Sequence, residues 1–203
     1  MNQPANKQSV GRKQLLGLFA IAALSTFVPY IMFVTGWGIP EGTKNKGVLI
    51  SEPASVAGFE FQTLEGKPWP IAEQEPKFRL VFLLDNDCDS TCEELMYLSR
   101  QVHIRLGREA DQLERLFIWL GAQQPSDELL EFIKSQHPKA KVLKSERDAW
   151  LSMLSSMKEV KADLDGHEYY LLHRYSALVM MYTETQSGND LLDDIKFLIK
   201  TSN

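Results

Sequence analysis

Two cysteines, Cys88 and Cys92, are the only thiols in this 203-residue chain. They stand four positions apart in LLDNDCDSTCEEL, Leu83 to Leu95. Such a pair has three uses: to bridge, to exchange electrons with another thiol pair, or to hold a soft metal. A loop-to-helix junction brings two Cα atoms into the bridging range of about 4.4–6.8 Å. A bridge closing so short a loop stabilises little, which favours the redox and metal readings over a purely structural one. The surroundings are unusual for a nucleophilic thiol, which ordinarily sits beside positive charge. Here Asp85, Asp87, Asp89, Glu93 and Glu94 crowd the pair, and negative charge raises a thiol pKa. A helix start acts the other way. Ser90 as N-cap with Glu93 three residues on forms a capping box that places Cys92 in the first turn, where the dipole favours thiolate. The acids are tolerable if a cation is the usual occupant, because metal charge inverts the local pKa argument.

The elements that must position the pair follow from periodicity. FRLVFLL, Phe78 to Leu84, is an almost continuous apolar run that predicts a strand buried on both faces, immediately before the cysteines. Leu95, Leu98, Val102 and Leu106 recur at helical spacing after them. LFIWLG from Leu116 predicts a second buried strand, and PSDELLEFIKSQHP a helix capped by Ser126 and stopped by Pro138. A brief strand at Lys141 and a helix over SERDAWLSMLSSM come next. YYLLHRYSALVMMY predicts two strand segments around His173-Arg174-Tyr175, and Asp190 to Lys200 a closing helix with Leu191, Ile195, Leu198 and Ile199 inward. Ahead of all these, GFEFQTLEGKPWPI reads as a hairpin turning at Glu65-Gly66-Lys67. Alternating strands and helices with a late hairpin indicate an α/β sandwich of thioredoxin-like order.

Leu15 to Val34 is twenty residues without a charge, enough to cross a bilayer core of about 30 Å. It is longer than the apolar core of a signal peptide and lacks a clean small-x-small site after Val34, so it reads as an uncleaved anchor. Lys7, Arg12 and Lys13 precede it, against Lys44 and Lys46 after it. The positive-inside rule then puts the N-terminus in the cytoplasm and the remainder outside, where thiols are oxidised or metallated. The expected organisation is a cytoplasmic tail at 1–14, an anchor at 15–36, a Gly- and Pro-rich linker at 37–57 and a globular domain at 58–203. The chain carries 22 Lys and Arg against 27 Asp and Glu, net −5. The three bases ahead of the span leave the exported part more acidic still, which argues against nucleic acid as a partner. There is no phosphate loop and no dinucleotide fingerprint. A peroxiredoxin would need Thr two positions before its Cys, where Asn86 stands; a hydrolytic Cys–His pair would leave the second cysteine idle.

From Gly58 onward the chain resembles the Sco family, membrane-tethered thioredoxin-like copper proteins that assist synthesis of cytochrome c oxidase. RLVFLLDNDCDSTC matches the family's buried strand and CxxxC, LFIWLGAQQPSDELLEFIKSQHP its following strand and helix, and YYLLHRYSALVMMY the segment bearing its downstream ligand histidine. The chain departs from the family pattern at Asp89 and Glu93, where prolines are usual, and at Gly121-Ala122-Gln123, where an acid is usual. It is identified as a divergent, Sco-like member.

The resemblance implies a copper site of Cys88, Cys92 and His173. Two thiolates and an imidazole form a soft set that suits Cu(I), and imidazole also suits Cu(II); structural zinc normally has four protein ligands. His103, His137 and His167 are expected to face solvent. The implied role is copper delivery to, or thiol reduction of, the copper centre of cytochrome c oxidase. The implied partners are the oxidase subunit that holds this centre and a copper donor protein. The implied place is the bacterial inner membrane, with the domain in the periplasm; an inner mitochondrial membrane gives the same topology. Two other classes remain open: a metal-free thiol–disulfide oxidoreductase, with Cys88 and Cys92 as its redox pair, and a non-catalytic membrane assembly factor.

Overall fold

The computed structural model describes residues 11–36, 45–86, 88–160 and 164–202. The start of the tail with Lys7, linker residues 37–44 and Asp87 lie outside them. The chain divides into two compact units, one holding the N-terminal helix and the other everything from the first strand onward.

Helix α1 runs Arg12–Thr35 and contains Pro29. At 1.5 Å per residue its 24 residues span about 36 Å. It is apolar on all sides and none of its residues is buried, the pattern of a helix whose natural surroundings are apolar. It is long and apolar enough to cross a membrane.

The second unit is built on a seven-stranded sheet ordered β1-β7-β6-β3-β4-β5-β2. Its strands are β1 Val48–Ser55, β2 Phe61–Thr63, β3 Phe78–Leu84, β4 Leu113–Trp119, β5 Ala140–Ser145, β6 Asp165–Leu172 and β7 Ala177–Thr183. β3, β4 and β5 run parallel, through the crossover helices α2 Ser90–Arg105 and α3 Asp127–Gln136. β6 lies antiparallel on the other side of β3 and turns into β7. Helix α4 Arg147–Ser155 follows β5, and α5 Gly188–Thr201 follows β7.

Every residue of β3 is buried, as expected for a strand covered on both faces. Its alternation divides the core. Phe78, Leu80, Phe82 and Leu84 join Leu95 and Met96 of α2 and Leu191 and Ile195 of α5. Val81 and Leu83 join Trp150 and Leu154 of α4 on the other face.

Two elements differ from expectation. Val48–Ser55 belongs to the sheet, not to a linker: β1 pairs antiparallel with β7 along the edge. Its sequence, VLISEPAS, buries only Ile50, and its register shifts between Leu49 and Ala54, around Pro53. Proline and a bulge suit an edge strand and hide its period. The entry to β1 is fastened by Asp194 of α5. Its buried carboxylate accepts from the amides of Lys46 and Gly47, each at 2.9 Å, and from the Tyr182 hydroxyl at 3.1 Å. The expected hairpin does turn at Gly66, with Trp69 N–H donating to the Phe61 carbonyl at 2.8 Å. The main partner of β2, however, is β5, which makes β2 the far edge of the sheet.

Candidate thiol and metal centre

β3 carries the chain directly into the cysteine loop. Asp89 takes an extended backbone (φ −86°, ψ −176°), and its side chain accepts from the Cys92 amide at 3.0 Å. Asp89 is therefore the N-cap of α2, one residue before the expected cap Ser90. Asp is as good a cap as Ser, and only the backbone conformation distinguishes the two positions. Cys92 still falls in the first turn.

Cys88 and Cys92 are joined as a disulfide, with Cα atoms 5.4 Å apart. The two sulfurs are inequivalent. Cys92 is fully buried in the core, whereas Cys88 is partly exposed, with Sγ 3.9 Å from Met96 Sδ.

The third component comes from β6. Its register with β3 slips between Phe82 and Leu84, so that Phe82 faces Tyr169 while Leu84 faces Asp165. The irregularity turns Gly166 onto the disulfide. Gly166 has φ +83°, and a Cβ added there would stand 2.6 Å from Cys92 Sγ. The next residue, His167, directs Nε2 to the Asp89 carboxylate at 2.9 and 3.0 Å. A bulge that re-aims a side chain beside a reactive centre is a recurrent use of that irregularity.

His173 is elsewhere, and the expectation that it joins the cysteines is corrected. Leu172 pairs with Arg79 at the start of β3, and His173 packs edge-on to Phe78 with ring centroids 5.4 Å apart. The cysteines follow the other end of that strand. At about 3.3 Å per residue, the length of β3 alone separates His173 from them by roughly 17 Å.

Residues 78–202 match the family model described as transmembrane-like, thioredoxin-like, C-terminal domain. The chain belongs to that family. No curated protein matches it. Solved structures share the fold of this thioredoxin-like protein at low identity. Apo Sco1 from Thermus thermophilus is 14% identical, with 78% of this chain and 99% of that one covered and a TM-score of 0.58. Yeast Sco1 with copper bound is 17% identical, with 79% and 96% covered and a TM-score of 0.55. BsSco is described as a member of the Sco family of cytochrome c oxidase assembly proteins with a disulfide switch. It is 15% identical, with 79% and 99% covered and a TM-score of 0.51. The fold is thus the Sco type of thioredoxin-like domain.

In this thioredoxin-like protein Asp85 and Asp89 beside the motif have separate partners. Asp85 pairs with Arg147 of α4 at 3.1 Å. Asp89 is held below the ordinary carboxylate range, first by the Cys92 amide and then by the His167 ring. Glu93 lies in the first turn of α2, where its charge suits the helix dipole. The other histidines also depart from expectation. His137 is buried, with Nδ1 3.2 Å from Arg115 Nη1. Half-buried His103 has Nε2 3.2 Å from the Leu113 carbonyl.

Among the described residues no three histidine, cysteine or carboxylate side chains already converge as a metal-holding group. In this oxidation state the bridge occupies both sulfurs, and His167 engages Asp89. Reduction would free two thiolates beside an imidazole, a donor set whose softness fits copper. The sequence offers His167 as a histidine expected to face solvent. The available signal was its place just before the aromatic run Tyr169-Tyr170, because a strand antiparallel to β3 must start where β3 ends.

Asp89→Ala removes the cap of α2. The expected result is a melting temperature lower by about 2–4 °C at neutral pH. Because the folded pKa of Asp89 is depressed, its contribution is present above the unfolded carboxylate pKa and is lost as pH falls through the folded value. The gap between wild type and variant should therefore close in acid; a gap independent of pH would contradict the role of the charge.

Proposed function

We propose that this protein is a membrane-tethered, Sco-like assembly factor of cytochrome c oxidase whose reduced cysteines hold copper as cargo. The ligand set is Cys88, Cys92 and His167, with His167 in place of the histidine expected from sequence. The observation that carries the reading is the convergence at one end of β3: a CxxxC pair at the head of α2, with the Gly166-His167 bulge of β6 packed against it. Bound copper would be passed by exchange of thiolate and imidazole ligands, a chemistry Cu(I) favours. α1 supplies the tether, and the proposed site of action is the periplasmic face of the inner membrane. The proposed recipient is the copper-centre subunit of the oxidase, with a separate copper donor.

The bridge itself favours a second reading, a thiol–disulfide oxidoreductase without metal. A thiolate on a partner attacks the partly exposed Cys88 Sγ. The S–S bond breaks, and Cys92 leaves as a thiolate in the first turn of α2, where the dipole stabilises it. The partner's second thiolate then displaces Cys88. Two electrons end on this protein as a dithiol, and a disulfide forms on the partner. Run in reverse, the same steps reduce a partner.

Anaerobic titration of the full chain in detergent separates the two. The reduced protein should take up about one equivalent of Cu(I) and the oxidised protein none, since metal binding requires both thiolates. Failure of the reduced protein to retain Cu(I), with rapid exchange against a small disulfide, would replace the copper reading by the redox one.

A further inference from the structure

Arg115, the third residue of β4, is buried. Its Nη1 meets His137 Nδ1 at 3.2 Å, while its Nε and His137 Nε2 have no hydrogen-bond partner. None of the ion pairs among the described residues includes Arg115, Arg100 or Lys139. The neighbouring acid Glu114 belongs to the opposite face of β4, where Arg79 and Lys141 hold it. A buried guanidinium without a counter-charge is costly. This one lies against a cavity of about 300 Å³ formed by α2, the turn after it, β4 and the connection from α3 to β5. Arg100, His103, Arg115 and Lys139 line the cavity beside Ile104, Pro138 and other uncharged residues, and no carboxylate contributes. In a chain of net charge −5 this is a concentrated positive pocket.

The ionisation behaviour of Arg115, its partner His137 and His103 agrees. Burial, then Arg100, pushes Arg115 down to about 10. Burial, then Arg115 and Arg100, pushes His137 down to about 4. Burial and Arg115 hold His103 below its ordinary value. In each case burial is the larger cause, and neighbouring positive charge adds to it.

We propose that this cavity binds a phosphate-type oxyanion, as free phosphate or as a phosphomonoester headgroup. Arg115 is the buried anchor, and Arg100 and Lys139 stand at the mouth. A guanidinium matches a phosphate face with two parallel N–H···O bonds, and three fixed cations favour a dianion over a monovalent carboxylate or chloride. The space holds on the order of ten waters, enough for one such group. The site uses neither cysteine nor His167 and is independent of the copper reading.

The test titrates the full chain in zwitterionic detergent with inorganic phosphate at constant ionic strength, following heat and the imidazole resonances of His103 and His137. Saturable binding is expected, with both resonances shifting at one midpoint. Arg100→Gln and Lys139→Gln should each weaken it about tenfold, or about 1.4 kcal/mol, without lowering the melting temperature. These variants are used because Arg115→Gln alters a buried side chain and its fold. A second arm compares short-chain phosphatidic acid with the matching phosphatidylcholine. Tighter binding of phosphatidic acid than of phosphate identifies a headgroup site; binding of phosphate alone identifies a free-anion site. No saturation by either ligand, equal effects of acetate or chloride, or unchanged affinity in both surface variants would overturn the proposal.

Discussion

His167→Ala is expected to weaken Cu(I) binding by the reduced protein about a hundredfold, while His173→Ala leaves it unchanged. Losing even a group that orients a metal ligand typically costs about 10–100-fold in affinity, so losing a ligand falls at or beyond the upper end. The contrast rests on the pairing of β6 with β3. His167 lies one residue from Gly166, whose Cα faces Cys92 Sγ, and its ring reaches the cap that holds the Cys92 amide. His173 lies past Leu172, opposite Arg79 at the other end of β3, with its ring on Phe78. Cys88→Ser and Cys92→Ser each remove a thiolate and should abolish tight binding. The measurement is competition with a Cu(I) chelator under anaerobic conditions. Loss of affinity in His173→Ala with full affinity in His167→Ala would show that the strand register does not define the site.

Gly166→Ala is expected to lower stability by about 2–4 kcal/mol, or about 10 °C in melting temperature for a domain of this size. Two costs add. At φ +83° a side chain is strained against the backbone, and its Cβ would meet Cys92 Sγ at 2.6 Å and Leu84 Cδ2 at 2.8 Å. Neither neighbour has room to move: Cys92 is buried within α2, and Leu84 ends a strand paired on both sides. Gly66→Ala is the control. Its φ is +79°, but nothing lies within 4 Å of the added carbon, so it carries only the backbone cost of about 1 kcal/mol. Thermal denaturation of both variants reads the difference, which is the packing of β6 on the disulfide. Equal melting temperatures would mean that Gly166 is required for its backbone alone.

Much of the scaffold is readable without coordinates, because its signals are local. The twenty uncharged residues from Leu15 are enough for a spanning helix, and α1 includes all of them. FRLVFLL has the continuous apolar pattern of a strand covered on both faces, and all seven residues are buried. Ser126 caps α3 through the Leu129 amide at 3.1 Å, at the position its type and spacing indicate. The spacing of Cys88 and Cys92 beside a helix start is compatible with a bridge from local geometry alone.

The features that elude such reading depend on partners distant in sequence. β1 is an edge strand whose burial comes from β7, more than a hundred residues later. His137 is buried because β4 places Arg115 and Phe117 against it. Asp194 reaches back to the amides of Lys46 and Gly47. The choice between His167 and His173 is of the same kind. One stands near the start of a short strand and the other just past its end, and local pattern does not distinguish them. Antiparallel pairing with β3 does, because it brings the start of β6, and not its end, to the cysteines. The sequence by itself determined the cysteine pair, the apolar N-terminal segment and the strand–helix frame, since each is written in neighbouring residues. Only the tertiary structure decided which histidine stands at the thiols, because that depends on strand direction and register.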